Sequence, residues 1–190
     1  ALSRSSLIWR SFSHWVGGMG VLVFLLAIIP MSGGSNINLM KAESPGPSVG
    51  KLVPKIRSTA RILYMIYIGL CVIMFVMLLL GKMPVFDALT TTFGTAGTGG
   101  FGIKNDSIAS YSPYIQWVIT VFMLLFGVNF NAYYLILFHD FKKAFKMEEV
   151  RWYFTIIIIS VIIIFSDLMQ FYPSFGDAVR DSFFQVASII

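Results

Sequence analysis

The sequence predicts an all-α membrane protein: four transmembrane helices, with short helices between them that enter the bilayer without crossing it. Three observations carry this. Of 190 residues, 57% are hydrophobic and 16% aromatic against 12% charged, a balance outside that of soluble domains. Four apolar segments, 7–30, 62–80, 113–138 and 150–165, approach or exceed the roughly 20 helical residues that a bilayer requires. A glycine-rich stretch, "TAGTGGFG", follows a helical pattern too short to span.

The first segment contains "GGMG" at 17–20, which would weaken a soluble helix but in lipid lets two backbones approach closely. The second and third segments hold no charged residue. The fourth, "YFTIIIISVIIIF", reads by propensity as a buried strand; the need to satisfy every backbone group within the segment makes it a helix in lipid. The 10 Met and 18 Phe suit interhelical and lipid-facing packing and identify no site. Cys71, the single cysteine, lies in an apolar run and reads as a small buried hydrophobe.

The net charge of +5 does not point to nucleic acid, because the basic residues are dispersed between apolar segments. They set the topology. The connection 31–61 carries Lys41, Lys51, Lys55, Arg57 and Arg61 against Glu43, and the next basic connection has Lys142, Lys143, Lys146 and Arg151 against Asp140, Glu148 and Glu149. Both are expected on the cytoplasmic side by the positive-inside bias. Between them, Lys82 and Lys104 are balanced by Asp87 and Asp106, and after the fourth segment Arg180 stands alone against Asp167, Asp177 and Asp181. These regions are expected outside, as are Arg4 and Arg10, which oppose the bias. The first residues, "ALSRSSLIWRSF", lack the small-residue cleavage site of a signal peptide.

The outer segment 81–112 opens on "KMPVFDALTTTFGT", with Pro84 at a first helical turn and Asp87 near the positive helix end. A re-entrant helix of about ten residues is expected there. Entering from outside, it would aim its partially negative C-terminal end at the membrane interior, which suits a cation. The glycines that follow allow unusual backbone angles and let carbonyl oxygens turn toward one axis. A nucleotide-binding reading of Gly97, Gly99 and Gly102 would need a preceding strand, a helix opening on the glycines and an acid about 20 residues later. None is present.

Aligning "DALTTTFGT" from Asp87 with "DSFFQVASI" from Asp181 gives a second short helix after a span, an internal repeat. The full fold class is then an all-α membrane protein of four transmembrane helices with re-entrant pore helices and a non-helical selectivity-filter loop, part of a tandem helix–pore loop–helix array. A ring of carbonyls needs several such segments about one axis, so this chain is expected to be a piece of a larger pore-forming subunit.

At this point the residues resemble the Trk/Ktr/HKT superfamily of potassium transporters, and within it the TrkH-type membrane subunit. "WRSFSHWVGGMGVLVFLLAIIP" is similar to the second helix of the family's first repeat, "KAESPGP" and "KLVPKIRSTARILYMIYIGL" to the next cytoplasmic loop and helix, "TAGTGGFG" to the second filter, and "DSFFQVASII" to the third pore helix. The resemblance implies these divisions: 1–30, second helix of a preceding repeat; 31–61, cytoplasmic loop; 62–138, a complete repeat; 139–150, cytoplasmic loop; 151–190, first helix and pore helix of the next repeat. It implies potassium uptake across the bacterial cytoplasmic membrane with K+ as the transported ion and no organic cofactor. The partners implied are the remaining repeats of the same subunit, a second copy in a homodimer, a cytoplasmic nucleotide-binding regulatory subunit and the lipid bilayer, with no nucleic acid. It places the filter glycine at Gly100, before Phe101, and makes the carbonyls of Thr98, Gly99, Gly100 and Phe101 the K+ ligands.

Other polar residues carry two readings each. Asn129 and Asn131 are read as joining helices by hydrogen bonds, with lining of a cavity or gate as the alternative. Arg10 and His14 are read as snorkelling to the interface, with tuning of the pore mouth as the alternative. His139 is read as meeting a helix dipole, and the basic loops as meeting anionic lipid or a docked regulatory subunit. Thr90, Thr91, Thr92 and Thr95 either support the filter or satisfy local backbone. An intramembrane enzyme is disfavoured: the chain has no H-E-x-x-H or G-x-S-x-G motif and no acid pair within a span. A non-conducting membrane scaffold is the remaining alternative.

Overall fold

A computed structural model describes residues 3–18, 20, 56–172 and 174–190. Over these residues the chain forms eight helices: α1 Arg4–Gly18, α2 Ile56–Leu80, α3 Val85–Ala96, α4 Pro113–Gly127, α5 Phe130–Leu137, α6 Phe141–Lys146, α7 Glu148–Leu168 and α8 Phe175–Ile189. The later part of the first expected span, 21–30, and the basic connection over 31–55 lie outside the described residues.

The apolar pattern is inverted relative to a soluble protein. On α2, Tyr67, Cys71, Met74 and Leu78 recur at helical spacing and are buried, while Met65, Ile68, Val72, Ile73, Val76 and Leu80 are exposed. On α7, Ile157 and Val161 are buried and Ile156, Ile158, Ile159, Ile162 and Ile163 are exposed. Such continuous apolar outer faces are costly in water and cost nothing in lipid. Residues 60–80 and α7 are each long and apolar enough to cross a membrane. The β-branched fourth segment is helical, as the solvent argument requires.

The main core gathers α2, α3 and α4 around Tyr67, Met74, Leu78, Ala88, Ile115, Ile119 and Phe122. α3 runs 12 residues with Asp87 in its first turn, and Pro84 occupies the position before the helix, one residue earlier than expected. Buried Thr90 and Thr92 return their hydroxyls to the carbonyls of Phe86 and Ala88, so the local-backbone reading applies to both.

The third span departs from expectation. Instead of one helix over 113–138, α4 and α5 meet at a bend of 89°. Val128 is extended, and the side chain of Asn129 accepts from the Asn131 backbone N–H at 2.9 Å, capping α5. The carbonyls that the break frees are satisfied from elsewhere: Tyr153 donates to the Leu124 oxygen at 2.9 Å and Tyr133 to the Leu125 oxygen at 2.7 Å. Gly127 makes room, since a Cβ there would stand 2.4 Å from the Tyr153 hydroxyl. The Asn129 amide also donates to Glu149 on α7, so this residue joins helices; Asn131 contributes its backbone N–H to the cap.

α8 starts at Phe175 with Asp177 in its first turn, so it extends further ahead of Asp181 than α3 does ahead of Asp87. With Asp181 aligned to Asp87, Thr91, Gly94 and Thr95 of α3 stand opposite Gln185, Ser188 and Ile189 of α8, and all six border one cavity. Each helix also returns a buried hydroxyl to its own backbone: Thr92 Oγ1 to the Ala88 oxygen at 2.8 Å, Ser182 Oγ to the Ala178 oxygen at 2.6 Å. Asp181 shares Arg180 with Asp177, as an ion pair at 3.1 Å beside one at 2.7 Å.

The loop after residues 98–101 is tied back to α3 by Tyr111, whose hydroxyl donates to Asp87 Oδ2 at 2.6 Å. Burial first, and then the Asp87 carboxylate, push the Tyr111 phenol well above its ordinary pKa of about 10. A raised folded pKa favours the protonated, folded form. The contribution is complete below the unfolded value and is lost as pH rises toward the folded one. Thermal unfolding of the detergent-solubilised protein is expected to fall more steeply above pH 10 for wild type than for Tyr111→Phe; parallel pH profiles would remove Tyr111 as the cause.

Candidate functional site

The segment that follows α3 has a backbone unlike either helix or strand. φ is positive at Thr98 (53°) and Gly100 (62°) and not at Gly99 or Phe101, so its sign alternates along four residues. In an extended strand with uniform handedness, successive peptide groups face opposite ways. Alternating handedness lets successive N–H groups converge on one side, which sends the carbonyls to the other. For Gly100 this conformation is free of a Cβ penalty; Thr98, β-branched, holds it as strain.

Hydrogen bonding separates these four residues from their neighbours. The Gly94 and Thr95 carbonyls accept from Gly99 and Thr98, and the Gly97 carbonyl accepts from the Thr98 hydroxyl at 2.8 Å. The Gly102 carbonyl accepts from Arg10 at 2.9 Å. Among the described residues, the carbonyls of Thr98, Gly99, Gly100 and Phe101 accept no hydrogen bond. These four residues border a cavity of about 480 Å³, together with Thr91 and Thr95 of α3, Met123 and Gly127 of α4, and Phe184, Gln185 and Ser188 of α8. The C-terminal end of α3, where helix carbonyls carry partial negative charge, opens on the same segment.

Two helices approach the segment closely. From α8, the Ser188 carbonyl lies 3.0 Å from where a Cβ on Gly100 would stand. From α1, residues four apart form a stripe along it. A Cβ on Gly18 would lie 2.8 Å from the Ala96 oxygen and 3.0 Å from Gly97 Cα, and one on Gly97 would lie 2.4 Å from the His14 oxygen. Only glycine permits this backbone approach, which is the role expected of "GGMG". Gly17, however, has open space and takes no part. The His14 ring meets the Phe101 ring edge-on at 4.8 Å, and the Arg10 guanidinium sits 4.1 Å from the Phe101 centroid. Trp15 packs on Phe93 at 5.3 Å and receives the Tyr67 hydroxyl at its carbonyl, locking α1 to α2 and α3.

Half-buried Arg10 and exposed His14 therefore both contact Phe101, a contact that the preferred reading of snorkelling to the interface did not include. Sequence spacing alone did not reveal this, because Arg10 and Gly102 are 92 positions apart. The available signal was that Arg10 and His14 share the face on which Gly18 lies. The contribution of Ser188 had no sequence signal beyond the repeat itself.

A family model described as "TrkH: Cation transport protein" matches residues 1–189. The chain is 32% identical to the Trk system potassium uptake protein TrkH of Salmonella typhimurium over 196 residues, which is 100% of this chain and 40% of that protein. It is 33% identical to Trk system potassium uptake protein TrkG of Escherichia coli over 87% of this chain and 35% of the relative. Among solved structures, it matches the crystal structure of the potassium transporter TrkH from Vibrio parahaemolyticus with a TM-score of 0.75 and 29% identity, covering 100% of this chain and 38% of the other. The chain thus spans about 40% of the length of these curated relatives.

Proposed function

This chain belongs to the TrkH family of cation transport proteins, and on that premise we propose that it supplies one complete ion-coordinating repeat, and parts of two others, to a longer subunit that takes up potassium. The single observation that carries the reading is the run of four unpaired carbonyls, Thr98 to Phe101, bounded on both sides by carbonyls that are engaged. A potassium ion that sheds its water needs oxygen dipoles in its place, and backbone carbonyls left free within protein supply them. The negative end of α3 adds to the same field.

In this reading 62–138 is the complete repeat, 1–30 the closing helix of the one before, and 151–190 the opening of the next, with 31–61 and 139–150 as cytoplasmic connections. The relatives are named as members of a Trk potassium uptake system. By that similarity, the other repeats complete the ring of carbonyls, two subunits pair, and a cytoplasmic nucleotide-binding subunit regulates flow across the bacterial cytoplasmic membrane.

The test is potassium-dependent growth of a cell lacking its own uptake systems, expressing the full-length gene, together with rubidium uptake into vesicles containing the purified protein. Restored growth at limiting potassium and rubidium entry are expected. A protein that reaches the membrane and does neither would be the non-conducting scaffold.

A further inference from the structure

Arg10 is the basic side chain that touches the filter segment among the described residues. It makes two kinds of contact with consecutive residues. One terminal nitrogen donates to the Gly102 carbonyl at 2.9 Å, and the guanidinium carbon lies over the Phe101 ring, 4.1 Å from its centroid. The Arg10 Nε is buried and has no hydrogen-bond partner, and the residue as a whole is half-buried. His14, one turn further along α1, meets the same ring in a T-shaped contact at 4.8 Å.

The hydrogen bond falls at the boundary of the unpaired run. Gly102 is the first residue beyond Phe101, and its carbonyl is turned to Arg10. Because peptide planes are rigid, holding the Gly102 oxygen and pinning the Phe101 side chain together restrict rotation of the peptide between them. That peptide carries the Phe101 oxygen, the last of the four. We infer that Arg10 is a positioning residue for the filter: it fixes the orientation of the Phe101 carbonyl by clamping the residue's ring and the following carbonyl from α1. This rests on the filter reading above.

The chemistry distinguishes a clamp from a mere positive charge. Lysine would keep the charge and one donor to Gly102 but has no planar head to lie on the ring. Methionine would keep much of the stem's packing and lose both contacts. If the clamp acts through Phe101, removing the ring should remove part of what Arg10 contributes, and the two losses should not add.

The experiment measures rubidium uptake and its inhibition by sodium in the full-length transporter carrying Arg10→Met, Arg10→Lys, Phe101→Leu, Arg10→Lys with Phe101→Leu, and Gly100→Ser, with membrane abundance in parallel. Arg10→Met is expected to make sodium about tenfold more effective as a competitor, a shift of about 1.4 kcal/mol. Arg10→Lys should fall between it and wild type, and the double variant should be no worse than the poorer of its two singles. Should Arg10→Met fail to reach the membrane, the Lys and Leu series carries the test alone. Wild-type discrimination in Arg10→Lys and Phe101→Leu, or strictly additive losses, overturns the clamp while a Gly100→Ser defect keeps the filter. Unchanged discrimination in Gly100→Ser as well would overturn the filter reading itself.

Discussion

Gly100→Ser is expected to reduce the preference for potassium over sodium about tenfold or more, with the protein still present in the membrane. Gly100 has φ of +62°, where an L side chain costs roughly 1–2 kcal/mol. A Cβ there would also lie 3.0 Å from the Ser188 carbonyl, on the backbone of α8, which cannot swing aside as a side chain would. The chain can relieve both by leaving the left-handed region, and the peptide groups on either side then rotate. These groups carry the oxygens of Gly99 and Gly100, the two central members of the unpaired run. Selectivity between ions of equal charge is a small difference between large hydration and coordination energies, and 1.4 kcal/mol is already tenfold. Strain of this size is therefore enough to remove discrimination without unfolding the protein. Rubidium uptake against a series of sodium concentrations reads the effect, and an unchanged ratio would falsify the assignment of Gly100 to the filter.

The features that were legible in the sequence are those that each residue expresses by itself. The apolarity of 62–80 and the helical state of "YFTIIIISVIIIF" follow from solvent preference, which needs no knowledge of neighbours. The unusual backbone at 98–101 was legible because glycine at that density has few other uses, and the nearby Thr-rich helix supplied its direction. What depended on distant partners was not legible. Asn129 announced a polar joint, but the 89° bend exists because Tyr133 and Tyr153 reach the freed carbonyls from 8 and 29 positions away. Arg10 looked like an interfacial cation because the residue it bonds, Gly102, lies 92 positions away.

The approach of α1 to Gly97, just before the four unpaired carbonyls, sets up a contrast between glycines that look alike in sequence. Gly97→Ala is expected to abolish uptake, and Gly17→Ala to leave it intact. At Gly97 the new Cβ would stand 2.4 Å from the His14 carbonyl oxygen and 2.5 Å from its carbon. Both are backbone atoms of α1, which the Trp15 and Tyr67 contacts hold in place, so the clash moves a whole helix or the segment 97–101. Overpacking of this kind costs about 1–3 kcal/mol where neighbours can yield, and here the nearest neighbours are main chain. Relief by separating α1 from α3 would also draw Arg10 away from Gly102 and the His14 ring from Phe101. At Gly17 nothing lies within 4 Å, and alanine is the better helix former by about 1 kcal/mol. Its melting temperature in detergent should hold or rise, while that of Gly97→Ala should fall. Equal behaviour of the two variants would mean that α1 does not seat against the filter. Loss of uptake by Gly97→Ala at an unchanged melting temperature would place the damage in the ion path alone, with the helix contact adding nothing to stability.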